Sequence, residues 1–343
     1  MAAPKREHAL DHVVVVMFEN RSFDHLLGRP YQPGEVASFE GVIGEDLSNP
    51  IPEWAEHGAD RGTVPYGVAK DMNTPYPDPG EEYAHINTQV FGAIDPPSNR
   101  GVPAEQMVAP YNAPADPDQV PTMSGFVTDY LSAFTAELGR QPTYDEYRQI
   151  MTGYTPEQLP VLSALARGFA VFDQWFADVP SQTFTNRSFF HAGTASGLVV
   201  NAPYANFPVH NTAETLFDRL ERHGLTWKVC CDPPSIYSLT GLIHAPRLRE
   251  RFATHFFSTD QFFADADQGE LPTYAFIEPQ IIGHGHKRHA PRLQHAHARA
   301  QLGPAVLAAR RRGPPCPDLC RGSVIVVPGR VELVQHAVHG RLR

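Results

Sequence analysis

Residues 12–18, HVVVVMF, are an unbroken apolar run of strand-forming residues. That is the pattern of a strand covered on both faces of a parallel sheet. Four polar residues, Glu19, Asn20, Arg21 and Ser22, follow at once. Residues 29–125 are rich in Pro, Gly, Asp and Asn with few periodic segments, and read as a long loop-rich excursion. A helix is expected to begin within SGFVTDYLSA, residues 124–133. In TPEQLPVLSALARGFAVFDQWFADV (155–179), Thr155 and Gln158 have capping-box spacing, and Leu162, Leu165 and Ala166 share a helical face. Gly168 then ends the helix before a short buried strand predicted over Phe169–Phe172. In NTAETLFDRLERHGLTWKVCCD (211–232), Asn211 or Thr212 caps a helix whose apolar face is Leu216, Phe217 and Leu220, and Trp227–Cys231 is a strand. LPTYAFIEPQ adds another strand at Tyr274–Ile277. Strands alternating with helices predict an α/β sheet with helices on both faces. In such sheets functional groups collect at the carboxyl ends of strands, where Glu19, Asp173 and Glu278 fall.

Composition bounds the choice. The 343 residues, 42% hydrophobic and 10% aromatic, suffice for one large α/β domain or two ordinary ones. No run approaches the length of a membrane span, and no apolar stretch precedes the first strand, so no secretion signal is read. Four cysteines are too few for a disulfide scaffold, and adjacent Cys230 and Cys231 read as buried thiols. The formal charge of −10 is unevenly spread: residues 287–343 carry one Lys and ten Arg against Asp318 and Glu332, a net of +9, which leaves −19 on the first 286.

Two polar stretches carry candidate chemistry. Glu19 and Asn20 are hard oxygen donors of the kind divalent cations prefer. The plainer alternative is that Asn20 or Ser22 caps a helix starting near Phe23. DVPSQTFTNRSFFHAGTASG, residues 178–197, packs Ser181, Thr183, Thr185, Asn186, Arg187 and Ser188 between an apolar strand and a Gly-punctuated segment. A hydroxyl there could act as a nucleophile and Arg187 could grip an anionic oxygen, as a phosphoryl group requires. An ordinary polar turn leading into a helix is the alternative.

Taken together, ENRSFDHLLG and, some 160 residues later, TFTNRSFFHAGTASG resemble the phosphoesterase family of bacterial phospholipases C and acid phosphatases. PTMSGFVTDY, LPVLSALARGFAVFDQWF and GELPTYAFIEPQ resemble intervening segments of the same family, so the resemblance covers roughly residues 10–286. It implies an alkaline-phosphatase-like α/β fold and hydrolysis of a phosphoester, with phospholipid as one substrate within its range. It implies a divalent cation, Ca, Mg or Zn, held by Glu19 and Asn20. By position, Thr183 would be the nucleophile, forming a phosphothreonine, with Asn186 and Arg187 positioning it or the phosphate. The Gly and two Pro of the family's usual G-P-T-x-P-N-R segment are replaced here, which puts the turn geometry in question. His85, in EEYAHINTQ, falls where the family places an active-site histidine that protonates the leaving oxygen; surface polarity is its plainer alternative. As given, the chain would be cytoplasmic, although relatives are often exported.

The family's Asp-Glu-His-Gly-Gly motif does not follow. Residues 287–343 contain no Phe, Tyr, Trp, Met, Asn or Thr, although the preceding residues use all six. One inserted base would turn codons for Asn-Asp-Met-His-Pro into those for Lys287–Pro291. The division expected is therefore an incomplete phosphoesterase domain over 1–286 and an out-of-frame or disordered basic tail over 287–343, the fold being incomplete at its C-terminus. On that reading an inactive relative or a fragment that does not fold stands as the rival function. Within the tail, Cys316, Cys320, His336 and His339 imitate a zinc-finger spacing, and Arg310-Arg311-Arg312 a nucleic-acid patch. The missing aromatic core argues against the finger. Nucleic-acid binding is not expected, and would show as a salt-dependent affinity lost with the tail. His284, His286 and His289 read either as part of an active-site wall or as a solvated Gly-His loop.

Overall fold

The computed structural model describes residues 11–18, 21–58, 62–231 and 238–278, and the backbone of 322–328. In chain order the elements used below are β1 (His12–Phe18), α1 (Phe23–Leu27), α2 (Tyr83–Phe91), α3 (Phe126–Leu138), α4 (Pro160–Gly168), α5 (Thr183–Ala192), α6 (Leu216–Arg222), β2 (Trp227–Cys231), α7 (Leu239–Ile243), β3 (Phe256–Ser258), α8 (Thr259–Gln268), β4 (Tyr274–Glu278) and β5 (Gly322–Pro328). The chain divides into two units, Met1–Glu19 with Thr183–Gly329, and Asn20–Gln182 with Arg330–Arg343.

The first unit is built on a parallel five-stranded sheet in the order β3-β2-β4-β1-β5. Side chains of a strand alternate between faces, and the register makes the two faces explicit. Val13 and Val15 pair with Tyr274 and Phe276, while Val14 and Val16 pair with Ala275 and Ile277. Val15, Met17, Val229, Tyr274 and Phe276 pack under Phe190 of α5 and Phe217 of α6. Val14, Val16, Cys230, Ala275 and Ile277 pack under Phe262 of α8. The continuous apolar run of β1 is therefore the mark of helices on both faces, as the pattern predicts. Each such Val, Ile or Phe withdrawn from water contributes about 1.5–3 kcal/mol.

The second unit is centred on α2 and α3. Val127, Tyr130, Leu131 and Phe134 of α3 join Ile51, Val64, Ile86, Tyr147 and Met151 in its main core. The two helices come close because the residue before α3 is Gly125: a Cβ there would lie 1.7 Å from the Thr88 carbonyl oxygen. A second cluster joins Phe23, Leu26 and Leu27 of α1 to Tyr154, Leu159 and Ala166.

Several local expectations are corrected. Phe169–Phe172 forms no strand, and Phe169 and Phe172 are 83% and 70% exposed. An apolar run supplies the side chains of a buried strand but not a partner edge, and no described strand pairs with it. Asp173, expected at that strand's end, instead accepts the Glu40 backbone N–H at 2.8 Å in a turn. The reciprocal bonds of Thr155 and Gln158 exist, at 2.9 and 3.4 Å. They close the turn before α4, which starts on Pro160 with Leu159 as N-cap; Pro at the first helical position loses no needed N–H. The cap of α6 is Thr215, in a capping box with Asp218, rather than Asn211 or Thr212. The loop-rich excursion is largely irregular but contains α2. Of the tail expected beyond residue 286, the described part is the backbone of β5, which runs parallel to β1 from His12↔Gly322 to Phe18↔Pro328. Cys316, Cys320, His336, His339, Arg310–Arg312, His284, His286, His289 and Lys287–Pro291 lie outside the described residues.

Candidate active site

The polar residues after β1 divide in role. Ser22 is the N-cap of α1 and accepts the His25 N–H at 3.2 Å, so the cap expected of Asn20 or Ser22 falls to Ser22. Arg21, buried, pairs with Asp78 at 3.4 Å. Glu19 and Asn20, the expected metal ligands, lie outside the described residues, directly after the carboxyl end of β1. Among the described residues no group of three or more His, Cys, Asp or Glu side chains is placed to hold a metal ion.

In the first unit, Thr183, Asn186 and Arg187 come together at the start of α5. The helix is fastened along one side. The Phe184 N–H reaches Asn201 Oδ1 at 2.9 Å, an orphan helix-end donor satisfied from a loop. Thr185 Oγ1 donates to the Leu198 carbonyl at 2.7 Å, and Ser188 Oγ to the Phe184 carbonyl at 2.8 Å. Phe184, Thr185, Arg187, Ser188 and His191 are buried. Thr183 and Asn186, three apart and so neighbours on the helix surface, are left half-buried. No acidic residue sits in the first turn, so the positive end of the helix dipole is not offset from within the helix.

Arg187 turns to the sheet. Its Nη1 donates to Glu278 Oε1 at 2.6 Å, and both side chains are 3% exposed. Glu278, the last residue of β4, also accepts the Thr240 backbone N–H at 2.9 Å and the Thr240 hydroxyl at 2.6 Å on Oε1. On Oε2 it accepts Ser238 Oγ at 2.5 Å and Cys231 Sγ at 3.4 Å. A buried ion pair persists only when further hydrogen bonds offset its desolvation, and this carboxylate has four beyond the Arg187 contact. Burial, then the neighbouring Glu278 charge, pushes the Cys231 thiol up; burial pushes Cys230 up to about 12. Both cysteines are free thiols, Cys230 buried and Cys231 partly so.

Behind this pair lies a second polar layer. Thr240 Oγ1 gives its proton to Glu278, so His191 Nε2, 3.3 Å away, is the donor to it. Asn211 Nδ2 donates to Ser188 Oγ and to the Ile243 carbonyl, each at 3.0 Å, and lies 3.3 Å from His244 Nδ1. The His191 and His244 ring centres are 5.6 Å apart. Burial, then His244 and Arg187, holds His191 well below the usual imidazole range. Burial lowers His244 to about 4. Both are neutral at pH 7.

In the second unit, His85 is not a surface group: it is 4% exposed on α2. Its Nδ1 pairs with Asp129 Oδ1 of α3 at 2.6 Å, and Gln89, one turn along α2, donates to Asp129 Oδ2 at 2.7 Å. Gly80 makes room for the ring, since a Cβ there would lie 2.2 Å from it. Glu82 Oε2 lies 3.8 Å from His85 Nε2, and Glu82 Oε1 accepts from Gln182, the residue before Thr183, at 3.3 Å. Burial works against the charged imidazole, but the charge and hydrogen bond of Asp129 outweigh it and raise the His85 pKa. Burial raises Asp129 as well. The pair thus holds its proton more tightly than the free side chains would.

Sequence reasoning noted Glu278 only as a strand end and missed Thr240, His191, His244, Asn211, Asp129 and Gln89. Two signals were present. His191 follows Arg187 by four residues on α5, and Gln89 follows His85 by four on α2.

The chain belongs to the Phosphoesterase family, whose sequence model matches residues 10–304. It is similar to non-specific phospholipase C1 of Arabidopsis thaliana, 30% identical over 274 residues, covering 79% of this chain and 43% of that protein. It is similar to non-specific phospholipase C3 of the same plant, 31% identical over 278 residues, covering 79% of this chain and 45% of that protein. It is also similar to the non-hemolytic phospholipase C of Pseudomonas aeruginosa, 25% identical over 252 residues, covering 68% of this chain and 29% of that protein. The chain thus spans less than half the length of these curated relatives.

Proposed function

We propose that the chain is a phosphoric ester hydrolase of the phospholipase C or acid phosphatase type, with Thr183 as nucleophile. One observation supports this above the others: α5 is fastened along its buried side while Thr183 and Asn186 remain together, half-buried, at the helix's positive end. That placement suits a hydroxyl approaching an anionic phosphoryl group. Thr183 Oγ1 would attack phosphorus, the ester oxygen would leave as an alcohol, and water would cleave the phosphothreonine. By the family resemblance His85, whose pKa Asp129 raises against burial, would protonate the departing alcohol. Asn186 would orient the hydroxyl or a phosphoryl oxygen. Arg187 contributes positive charge one turn from Thr183 while its Nη1 is held by Glu278. Glu19 and Asn20 have the donor chemistry for a divalent cation, which when bound would lower the hydroxyl pKa and neutralise phosphoryl charge. Homologues named phospholipase C favour a phospholipid or related phosphodiester as substrate.

A second reading is an inactive relative. It is favoured by Ser181, Gln182 and Thr185 standing where the family's usual segment around the nucleophile has Gly and two Pro. Acid-quenched incubation with p-nitrophenyl phosphate or p-nitrophenyl phosphorylcholine and a divalent cation separates the two. A phosphoryl group on the peptide carrying Thr183 supports the hydrolase. A folded protein that releases no nitrophenol and carries no such adduct is the inactive relative.

A further inference from the structure

We infer that Glu278 is a positioning residue for Thr183, fixing the rotation and height of α5 through Arg187. The inference deepens the reading of Thr183 as nucleophile and rests on it.

A carboxylate offers about four lone-pair sites. Glu278 accepts five contacts, three on Oε1 and two on Oε2. It has no site left with which to act as a base or to hold another ligand unless one of these opens. Its partners come from three elements: Arg187 from α5, Ser238 and Thr240 from the start of α7, and Cys231 from the end of β2. Ser238 itself caps α7, accepting the Gly241 N–H at 2.9 Å. The carboxylate therefore ties the nucleophile helix, a neighbouring helix start and two strand ends into one buried knot.

Arg187 lies one turn from Thr183, so the direction in which its guanidinium is pulled sets which face of the first turn is presented. With Arg187 drawn to the carboxyl end of β4, Thr183 and Asn186 form the half-buried face. The other anchors, Asn201 at the Phe184 N–H and Leu198 at Thr185, hold the same turn from the loop side. Glu278 is the anchor from the sheet. Without this contact the fixed geometry that a nucleophile needs would be lost.

The test is hydrogen exchange followed by mass spectrometry on the full chain, comparing it with Glu278→Gln. The expected result is exchange at least about tenfold faster in the peptide covering α5, with α6 and α8 exchanging at the original rate. Uniform acceleration across the unit, or no acceleration in α5, overturns the inference. Should Glu278→Gln not fold, Ser238→Ala removes one of the five contacts and keeps the ion pair. It is expected to accelerate the α5 peptide selectively by a smaller factor, and the original exchange rate there counts against the role. Where turnover is measurable, kcat falls with KM unchanged, a split that a general loss of folded protein does not give. Selective exchange without any adduct on Thr183 would uphold the anchor and reject the nucleophile, so the two claims fail separately.

Discussion

His85 of α2 and Asp129 of α3 meet with Nδ1 and Oδ1 2.6 Å apart, both side chains at most 5% exposed. Gln89 closes the far side of the carboxylate. Glu82 stands 3.8 Å from the other ring nitrogen, with Glu105 adding a more distant negative charge. The close approach of the two helices depends on Gly125, and the ring fits because position 80 is Gly. A pair of neutral small residues thus decides where a buried charge can exist.

Replacing Asp129 by Asn removes the anion that outweighs burial, so the His85 pKa should fall below the ordinary imidazole value. A raised histidine contributes fully below its unfolded pKa, and the contribution is lost as pH rises through the folded value. Asp129→Asn should therefore cost about 1–3 kcal/mol at pH 6 and flatten the loss on the alkaline side. Urea titrations at several pH values, with an NMR titration of His85, check both. An unchanged His85 titration would contradict the assignment.

The histidines of the other unit predict the opposite limb. His244 is lowered to about 4, and His191 is also well below its ordinary value. Unfolding lets both take up protons at their ordinary pKa. Stability is therefore lost as pH falls from about 6.5 to about 4. His191 sits among Phe190, Phe217 and Phe276, with ring centres 4.6–5.1 Å away. His191→Phe should weaken this acid limb and shift the acid-unfolding midpoint downward. An acid midpoint identical in His191→Phe would contradict the prediction.

Gly125→Ala places a methyl where the Thr88 carbonyl stands. It should cost about 1–3 kcal/mol through forced separation of α2 and α3. The same substitution at Gly139, whose neighbourhood is open although its φ is +68°, should be milder. Urea midpoints compare them; equal losses would mean that backbone conformation, not the helix approach, sets the cost.

The buried thiols should be inert. Burial pushes Cys230 up to about 12, and burial with the Glu278 charge pushes Cys231 up, so native protein at pH 8 should resist iodoacetamide at both. Peptide mapping after denaturation, when both react, provides the comparison. Rapid native alkylation of Cys231 would contradict its contact with Glu278.

Much of the sheet was legible because β1, β2 and β4 write their burial into short apolar runs, and α6 shows its apolar face in Leu216, Phe217 and Leu220. Phe169–Phe172 misled because composition does not reveal whether a partner edge exists. Thr183, Asn186 and Arg187 stood out because they are close in sequence, but the helix that begins on Thr183 was not read, since the alternative put a polar turn there. Its anchor was not: Glu278 is 91 residues from Arg187, and Ser238 and Thr240 look like ordinary loop residues. His85 was legible only through resemblance, since its partner Asp129 is 44 residues away on another helix. Long-range pairing of polar groups leaves no local period to read.

The most direct test of the central claim is hydrolysis of p-nitrophenyl phosphate and p-nitrophenyl phosphorylcholine across a series of divalent cations, by the full chain and by Thr183→Ala. The account predicts turnover of at least one ester, reduced at least about a thousandfold in a Thr183→Ala protein that melts normally. Equal turnover by both proteins would contradict it.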